Sequence, residues 1–114
     1  MEIRGEDYVV WFDSSSTTIS FKGSLRLSSM EEYAPIVQLL GDVVDQEPPT
    51  VVLDLRNLEF LNSSGINVLS KFVIKVRQKG NVHILVHGSR DTPWQLKSLK
   101  NLQRLMPSLT LQFD

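Results

Sequence analysis

The sequence predicts an α/β fold in which a five-stranded mixed sheet packs with three main helices. Strand-like apolar runs alternate with segments whose apolar residues recur every three or four positions, in the order β-β-α-β-α-β-α-β. The first two runs are separated by four residues, which favours an antiparallel hairpin. Later runs are separated by helices, which favours parallel β-α-β crossovers. A chain of 114 residues has room for one core, so residues 1–114 are expected to form a single domain.

Two short runs predict the N-terminal hairpin. Residues 8–12 are β-branched and aromatic, as is typical of a strand. Residues 17–22 alternate between apolar and polar, with Ile19 and Phe21 on one face, which indicates a strand with one solvent-facing side. Gly23 is expected to end this second strand.

The first helix is predicted from a capping signal and one apolar stripe. Ser29 and Glu32 have the spacing of a capping box, in which each side chain satisfies a backbone donor of the first turn. Pro35 removes a backbone donor, so either the helix begins nearer Ala34 or it is kinked at the proline. The residues expected to face the core are Tyr33, Val37, Leu40 and Val44.

The central strand is predicted at residues 51–55. This run is almost continuously apolar and is interrupted only by Asp54, which favours a strand covered on both faces. A short crossover loop is expected between this strand and the second helix. The strand and loop lead directly into the second helix, so the rest of the chain is arranged around this stretch.

The second helix is predicted from Ser63 to Lys79, with Gly80 as a left-handed C-cap. Asn62 or Ser63 has the short oxygen-bearing side chain that an N-cap requires. Gly65 lies inside the first turn, where glycine lowers helix propensity, so another group is expected to approach the backbone closely there. The predicted core-facing residues are Ile66, Leu69, Val73 and Val76, and a basic row is formed by Lys71, Lys75 and Lys79.

The remaining elements are a strand at residues 82–87, a helix after Thr92 and a strand at residues 109–113. Thr92 followed by Pro93 is a helix-start signal. The buried face of this third helix is expected to contain Leu96, Leu99, Leu102 and either Leu105 or Met106. His83 and His87 stand four residues apart on the strand, about 13 Å, which is too far for both to bind one metal ion.

Composition excludes several function classes. The net charge of −1 argues against direct nucleic-acid binding. No apolar run approaches the ~18 residues of a membrane span, and no signal peptide is evident, so a cytoplasmic protein without membrane association is expected. No motif of a phosphate-binding loop, a zinc protease or a cysteine nucleophile occurs, so neither enzymatic activity, a metal site nor a cofactor is predicted.

Charge is distributed unevenly along the chain. Residues 1–49 carry three basic and nine acidic side chains, a net −6, whereas residues 50–114 carry nine basic and four acidic ones, a net +5. One hypothesis is that the protein docks a partner with the opposite charge pattern. The alternative is that the two sets simply mix on the folded surface.

The stretch around the second helix start resembles the STAS domain family, in particular the free-standing bacterial anti-sigma-factor antagonists. In that family a strand with a hydrophobic-Asp/Asn-Leu ending leads through a short loop into an Asp-Ser-Ser/Thr-Gly turn that starts a helix. The matching segments are Asp54-Leu55, Phe60-Leu61 and Asn62-Ser63-Ser64-Gly65. Gly23-Ser24-Leu25 is similar to the family's Gly-x-Leu segment. Two positions differ: Asn62 replaces the family's Asp, and Arg26 follows Leu25 where Asp is frequent.

This resemblance implies a partner-switching regulator with Ser63 as the phosphoacceptor. The implied partner is a serine kinase of the histidine-kinase-like ATPase type that is also an anti-sigma factor. Phosphorylation of Ser63 would end the binding. The implied docking surface consists of Gly23, Ser24, Leu25, Asn62, Ser64, Gly65 and Ile66. The alternative is a constitutive protein- or ligand-binding module without phosphorylation, since Asn62 retains an oxygen acceptor but carries no charge.

Overall fold

The computed structural model describes residues 1–114 and has six strands and three helices. The mixed α/β architecture agrees with the predicted fold class. The elements are β1 (Glu2–Arg4), β2 (Tyr8–Asp13), β3 (Thr18–Leu25), α1 (Met30–Asp45), β4 (Thr50–Leu61), α2 (Ser63–Lys79), β5 (His83–Gly88), α3 (Pro93–Leu105) and β6 (Thr110–Phe113).

The strands form one sheet in chain order, β1-β2-β3-β4-β5-β6. The pairs β1-β2 and β2-β3 are antiparallel, and the three pairs from β3 to β6 are parallel. The predicted hairpin and crossovers are therefore present. The predicted number of five strands was wrong by one, because β1 is a three-residue edge strand with two charged residues and gives no apolar pattern.

The three helices cover one face of the sheet. Buried residues of all three helices and alternate residues of the inner strands form one core cluster of 27 side chains. On β4 the side chains of Val51, Leu53 and Leu55 are fully buried, whereas Val52 and Asp54 are half-buried. The expectation that both faces of this strand are covered was therefore wrong. Asp54 marks the open face of the sheet.

Two strands extend further than the sequence pattern indicated. Gly23 does not end β3, because its positive φ of 96° lets the chain pass through an irregularity and continue pairing to Leu25. A Cβ at Gly23 would stand 2.1 Å from the carbonyl oxygen of Asp7. Beside it, β4 continues through the predicted loop to Leu61, since Ser24 and Leu25 pair with Phe60 and Leu61.

Helix α1 begins at Met30 rather than near Ala34. The Ser29 hydroxyl accepts a hydrogen bond from the Glu32 amide at 3.2 Å, as the capping-box spacing predicted. Pro35 is accommodated inside the helix. The predicted buried stripe was wrong at Val37, whose exposed fraction is 44%. The other three predicted residues of the stripe are buried. The buried face of α1 also contains Ile36, Leu39 and Val43.

Helices α2 and α3 begin where the sequence predicted. In α2, the Asn62 side chain caps the N-terminus and Gly80 at φ 81° caps the C-terminus. In α3, Pro93 is the first residue, although the Thr92 side chain makes no capping hydrogen bond. Leu96 is 40% exposed, so its predicted burial was wrong.

Ion pairs account for part of the charge asymmetry. The Lys75 and Lys79 ammonium groups lie 3.3 and 3.4 Å from Oδ1 of Asp45 at the end of α1. These cations of the second half therefore contact an acid of the first half.

None of the three helices combines the length and the apolar character that are needed to cross a membrane.

A second charged cluster lies on the open face of the sheet. The Arg56 guanidinium donates to Asp54 at 2.8 Å and to Asp114 at 3.2 Å. His87 Nε2 lies 2.8 Å from Asp114 Oδ1. The hydrogen bonds from Arg56 lower the pKa of Asp54 below its ordinary value. His83 lies 2.8 Å from the Thr110 hydroxyl, so each histidine joins β5 to the last strand segment.

Candidate functional site

The Ser63 side chain is exposed at the first position of α2. It follows directly after β4, at the carboxyl end of the parallel strands. At this position the first backbone amides of the helix point outward and carry its partial positive charge. The hydroxyl is therefore accessible in an environment that favours an anion.

Asn62 fixes the chain immediately before this serine. Its Oδ1 accepts hydrogen bonds from the Gly65 amide at 2.9 Å and from the Tyr33 hydroxyl at 2.6 Å. Its Nδ2 donates to the carbonyl oxygen of Leu27 at 2.8 Å. The backbone N–H of Asn62 also donates to the Leu25 carbonyl at 3.1 Å. One residue therefore joins α2, α1 and the segment after β3.

The donor to Leu27 distinguishes this asparagine from an aspartate. An ionised carboxylate only accepts hydrogen bonds, so it would satisfy Gly65 and Tyr33 but not the Leu27 carbonyl. The residue that replaces the family's Asp thus uses its additional amide group. The sequence left the N-cap role open between Asn62 and Ser63, and the structure assigns it to Asn62. Tyr33 was predicted only as a member of the apolar stripe. The signal for its polar contact is the hydroxyl that Tyr33 carries into a buried position.

Burial of Tyr33 changes the chemistry of its hydroxyl. The residue is 1% exposed, and this burial raises the pKa of its phenol above the ordinary value because the charged form is disfavoured. The group is therefore a neutral donor to Asn62 at physiological pH. This hydrogen bond connects the core of α1 directly to the N-terminus of α2.

Gly65 is the point of closest approach in this network. A Cβ at this residue would lie 2.2 Å from Leu61 Cδ1 and 2.7 Å from the Tyr33 hydroxyl oxygen. The sequence indicated that some group must approach the backbone here, and the structure identifies these two side chains.

The segment Gly23 to Leu25 lies beside the turn. Ser24 pairs with Phe60, and Leu25 pairs with Leu61 directly before Asn62. The resemblance had placed Leu25 and Gly65 on the docking surface, but Leu25 is 1% exposed and Gly65 is also buried. These two residues support the turn from inside. The half-buried members of the set are Gly23, Ser24, Asn62, Ser64 and Ile66.

Phe60 and Arg26 are surface residues of this region that sequence analysis did not assign. Phe60 is 39% exposed, and the Arg26 guanidinium carbon lies 4.6 Å from its ring centroid, within cation–π distance. Their proximity follows from the pairing of the ends of β3 and β4. The positive charge of Arg26 thus lies over an aromatic ring at the paired ends of β3 and β4.

Residues of α3 stabilise the other side of the β4 end. Pairing with β5 stops at Asp54 and His87, so later carbonyl groups of β4 need other donors. Gln95 Nε2 donates to the carbonyls of Leu55 at 2.7 Å and Leu58 at 3.1 Å, while its Oε1 accepts from the Ser89 amide at 2.8 Å. Gln95 is completely buried, and no pattern in the sequence predicted its role.

The chain is a small mixed α/β domain whose central strand leads into a helix with an exposed serine at its first position. Residues 20–105 match the model of the STAS domain family. The chain therefore belongs to the STAS domain family.

A curated relative gives a more specific similarity. The anti-sigma-F factor antagonist RsfB of Mycobacterium tuberculosis is 31% identical over 77 residues, which are 67% of this chain and 63% of the relative. The matched region thus spans less than two thirds of that relative's length.

Solved structures have the same fold at low sequence identity. One is a chain in the complex of the diguanylate cyclase SiaD with its activator SiaC from Pseudomonas aeruginosa. It has 16% identity and a TM-score of 0.75 and covers 99% of this chain and 97% of that chain. Another is an anti-sigma factor antagonist from Mycobacterium paratuberculosis, with 21% identity and a TM-score of 0.65, covering 96% and 90%.

Proposed function

We propose that this protein is an anti-sigma-factor antagonist that is switched by phosphorylation of Ser63. In the unphosphorylated state it binds a serine kinase of the histidine-kinase-like ATPase type that also acts as an anti-sigma factor, and so it releases a sigma factor. Phosphorylation ends this binding. The similarity to the antagonist RsfB supports this role. In this proposal residues 1–114 act as one cytoplasmic domain that needs no cofactor, and the chemistry is carried out by the kinase.

The observation that carries the proposal is the exposed hydroxyl at the N-terminus of α2. A kinase has access to this side chain without unfolding the domain. The outward-pointing amides of the first turn stabilise the negative phosphate that the serine receives. A phosphate adds about −1.5 to −2 charges at neutral pH, so it changes the electrostatics of the docking surface directly.

The surrounding residues divide into contact and support. In the proposed docking surface Gly23, Ser24, Asn62, Ser64 and Ile66 are in reach of a partner, since each is half-buried. Leu25 and Gly65 determine the shape of the turn from the core side.

The test is phosphate transfer from ATP by the cognate serine kinase, followed by mass spectrometry. We expect one phosphate on Ser63, none in Ser63→Ala, and label that is still located on Ser63 in Ser64→Ala. The Ser64 variant is the matched control, because it removes the neighbouring, half-buried hydroxyl from the same helix turn. Label on another residue, or label that persists in Ser63→Ala, contradicts the proposal.

The environment of Asn62 favours a second candidate function. In a constitutive binding module the same surface binds a protein or small ligand without covalent switching, and a neutral carboxamide that joins three segments is sufficient for that purpose. In that case Ser63→Ala retains partner binding in cells, the protein isolated from them carries no phosphate, and Ser63→Glu weakens binding only through local charge. Equal binding by both variants would place the partner on another surface.

A further inference from the structure

An apolar groove lies between α1 and α2, below the turn that contains Ser63. Its volume is about 240 Å³. Its lining residues are Met30, Val37, Leu40, Gly41, Val68, Lys71, Phe72 and Lys75. The α1 residues of the groove extend from position 30 to position 41, which corresponds to about 16 Å along the helix.

Two large apolar side chains of the groove are unusually open to solvent. Met30 is 45% and Val37 is 44% exposed. Val37 continues the apolar stripe of α1 in the sequence, yet it lies at the groove instead of in the core. Both residues line the same groove, and exposed apolar surface in a groove is characteristic of a contact site for another molecule.

The charges at the groove all have one sign. Lys71 and Lys75 are its only charged lining residues. Lys75 pairs with Asp45 at 3.3 Å. Its ammonium nitrogen lies 3.3 Å from the position that a Cβ on Gly41 would take, so Lys75 closes the end of the groove at Gly41. Lys71 is exposed and makes no ion pair. The neighbouring Asp42 does not line the groove, and its carboxylate accepts a hydrogen bond from Gln38 at 2.8 Å.

We propose that this groove binds an amphipathic helical segment of the partner protein that carries acidic side chains beside a large apolar anchor. The anchor inserts between Val37 and Phe72, where it removes exposed apolar surface from water. A carboxylate of the segment pairs with Lys71. Charge complementarity selects this occupant, because Lys71 presents an unpaired positive charge at the groove, whereas the charge of Lys75 is already offset by Asp45.

The groove extends the surface on which Ser63 lies. Val68 is five residues beyond Ser63 on the same helix, about 8 Å along its axis. This inference rests on the proposed function, in which a partner covers the start of α2. A segment in the groove and a second contact at Ser63 would then belong to one interface.

The experiment uses two synthetic amphipathic peptides and the whole protein. Both peptides have about five helical turns and the same leucine face, but one has glutamates and the other lysines on the polar face. Binding is followed by backbone amide chemical shifts. We expect the acidic peptide to bind at least about tenfold more tightly than the basic one and to shift Val37, Gly41, Val68 and Phe72.

Matched variants separate the groove from general surface effects. Val37→Glu should weaken acidic-peptide binding by about tenfold, whereas Leu96→Glu, at a similarly exposed leucine of α3, should leave it unchanged. Lys71→Glu should weaken it by about threefold or more, whereas Lys97→Glu should not. These exposed positions tolerate glutamate in the fold, and the amide spectrum verifies this directly.

The outcomes also separate this inference from the proposed function. Equal binding of both peptides, shifts outside the groove, or no binding overturns the groove proposal. Absence of phosphate on Ser63 overturns the switching proposal and leaves acid-selective groove binding unaffected. Ser63→Ala should bind the acidic peptide as tightly as the original protein, because its hydroxyl does not line the groove.

Discussion

Asn62 and Gln95 perform the same structural task at two places around the end of β4. Each carboxamide accepts a backbone amide hydrogen bond through its oxygen and donates to at least one backbone carbonyl through its nitrogen. Asn62 supports the side where β4 enters α2. Gln95 supports the side where β5 has ended and α3 begins.

The two sites differ in what they present to solvent. Gln95 is completely buried, and its hydrogen bonds remain inside the fold. Asn62 is half-buried, and the next residue is the exposed Ser63. A carboxamide that holds the backbone in place therefore has a structural role at both sites. A candidate function arises only where the fixed backbone displays a reactive group.

The largest effect is expected from replacing the buried amide with a carboxyl group. In Gln95→Glu the nitrogen donor to Leu55 and Leu58 becomes an oxygen, and a buried charge lacks a counterion. We expect a loss of about 3–5 kcal/mol in the free energy of unfolding at pH 7, measured with urea. Burial raises the pKa of the introduced carboxyl, so this loss should decrease as the pH falls toward about 4.

A control for this variant lies on the same helix. Gln103 is half-buried and donates to the Leu109 carbonyl at 3.1 Å, so Gln103→Glu should cost only about 1 kcal/mol. If both variants lose the same stability, complete burial of Gln95 is not what makes its amide essential.

An intermediate effect is expected at Gly65, where packing rather than hydrogen bonding is altered. The Cβ of Gly65→Ala would lie 2.2 Å from Leu61 Cδ1, so the end of β4 or the helix must move. We expect a loss of about 2 kcal/mol in urea unfolding, because overpacking exceeds the gain in helix propensity. Gly41→Ala is the reference, since its Cβ meets only the flexible Lys75 ammonium group at 3.3 Å. Equal stability of the two variants would contradict the close packing at Gly65.

The smallest effect is expected when the half-buried amide becomes a carboxylate. Asn62→Asp keeps the acceptor for Gly65 and Tyr33 and loses the donor to Leu27. The partial positive charge of the α2 N-terminus favours the new anion. We therefore expect a loss of about 1 kcal/mol or less at pH 7. A loss as large as that of Gln95→Glu would remove the distinction between the two sites.

Every element except β1, and the start of α2, could be predicted from the sequence. Hydrophobic periodicity, the N-cap at Asn62 and the C-cap at Gly80 depend on residues that are close along the chain, so their physics can be read locally. The same is true of Gly65, whose poor helix propensity indicated a close contact. The family resemblance rested on this segment too.

The contacts between groups that are distant along the chain depend on the tertiary structure. Asn62 and Leu27 are 35 residues apart, and Gln95 and Leu55 are 40 apart. Such contacts depend on strand pairing and helix packing, which leave no periodic signal in either partner. The same is true of Val37, which was predicted in the core but lies at the groove. The orientation of α1 on α2 determines which side of an apolar stripe is covered.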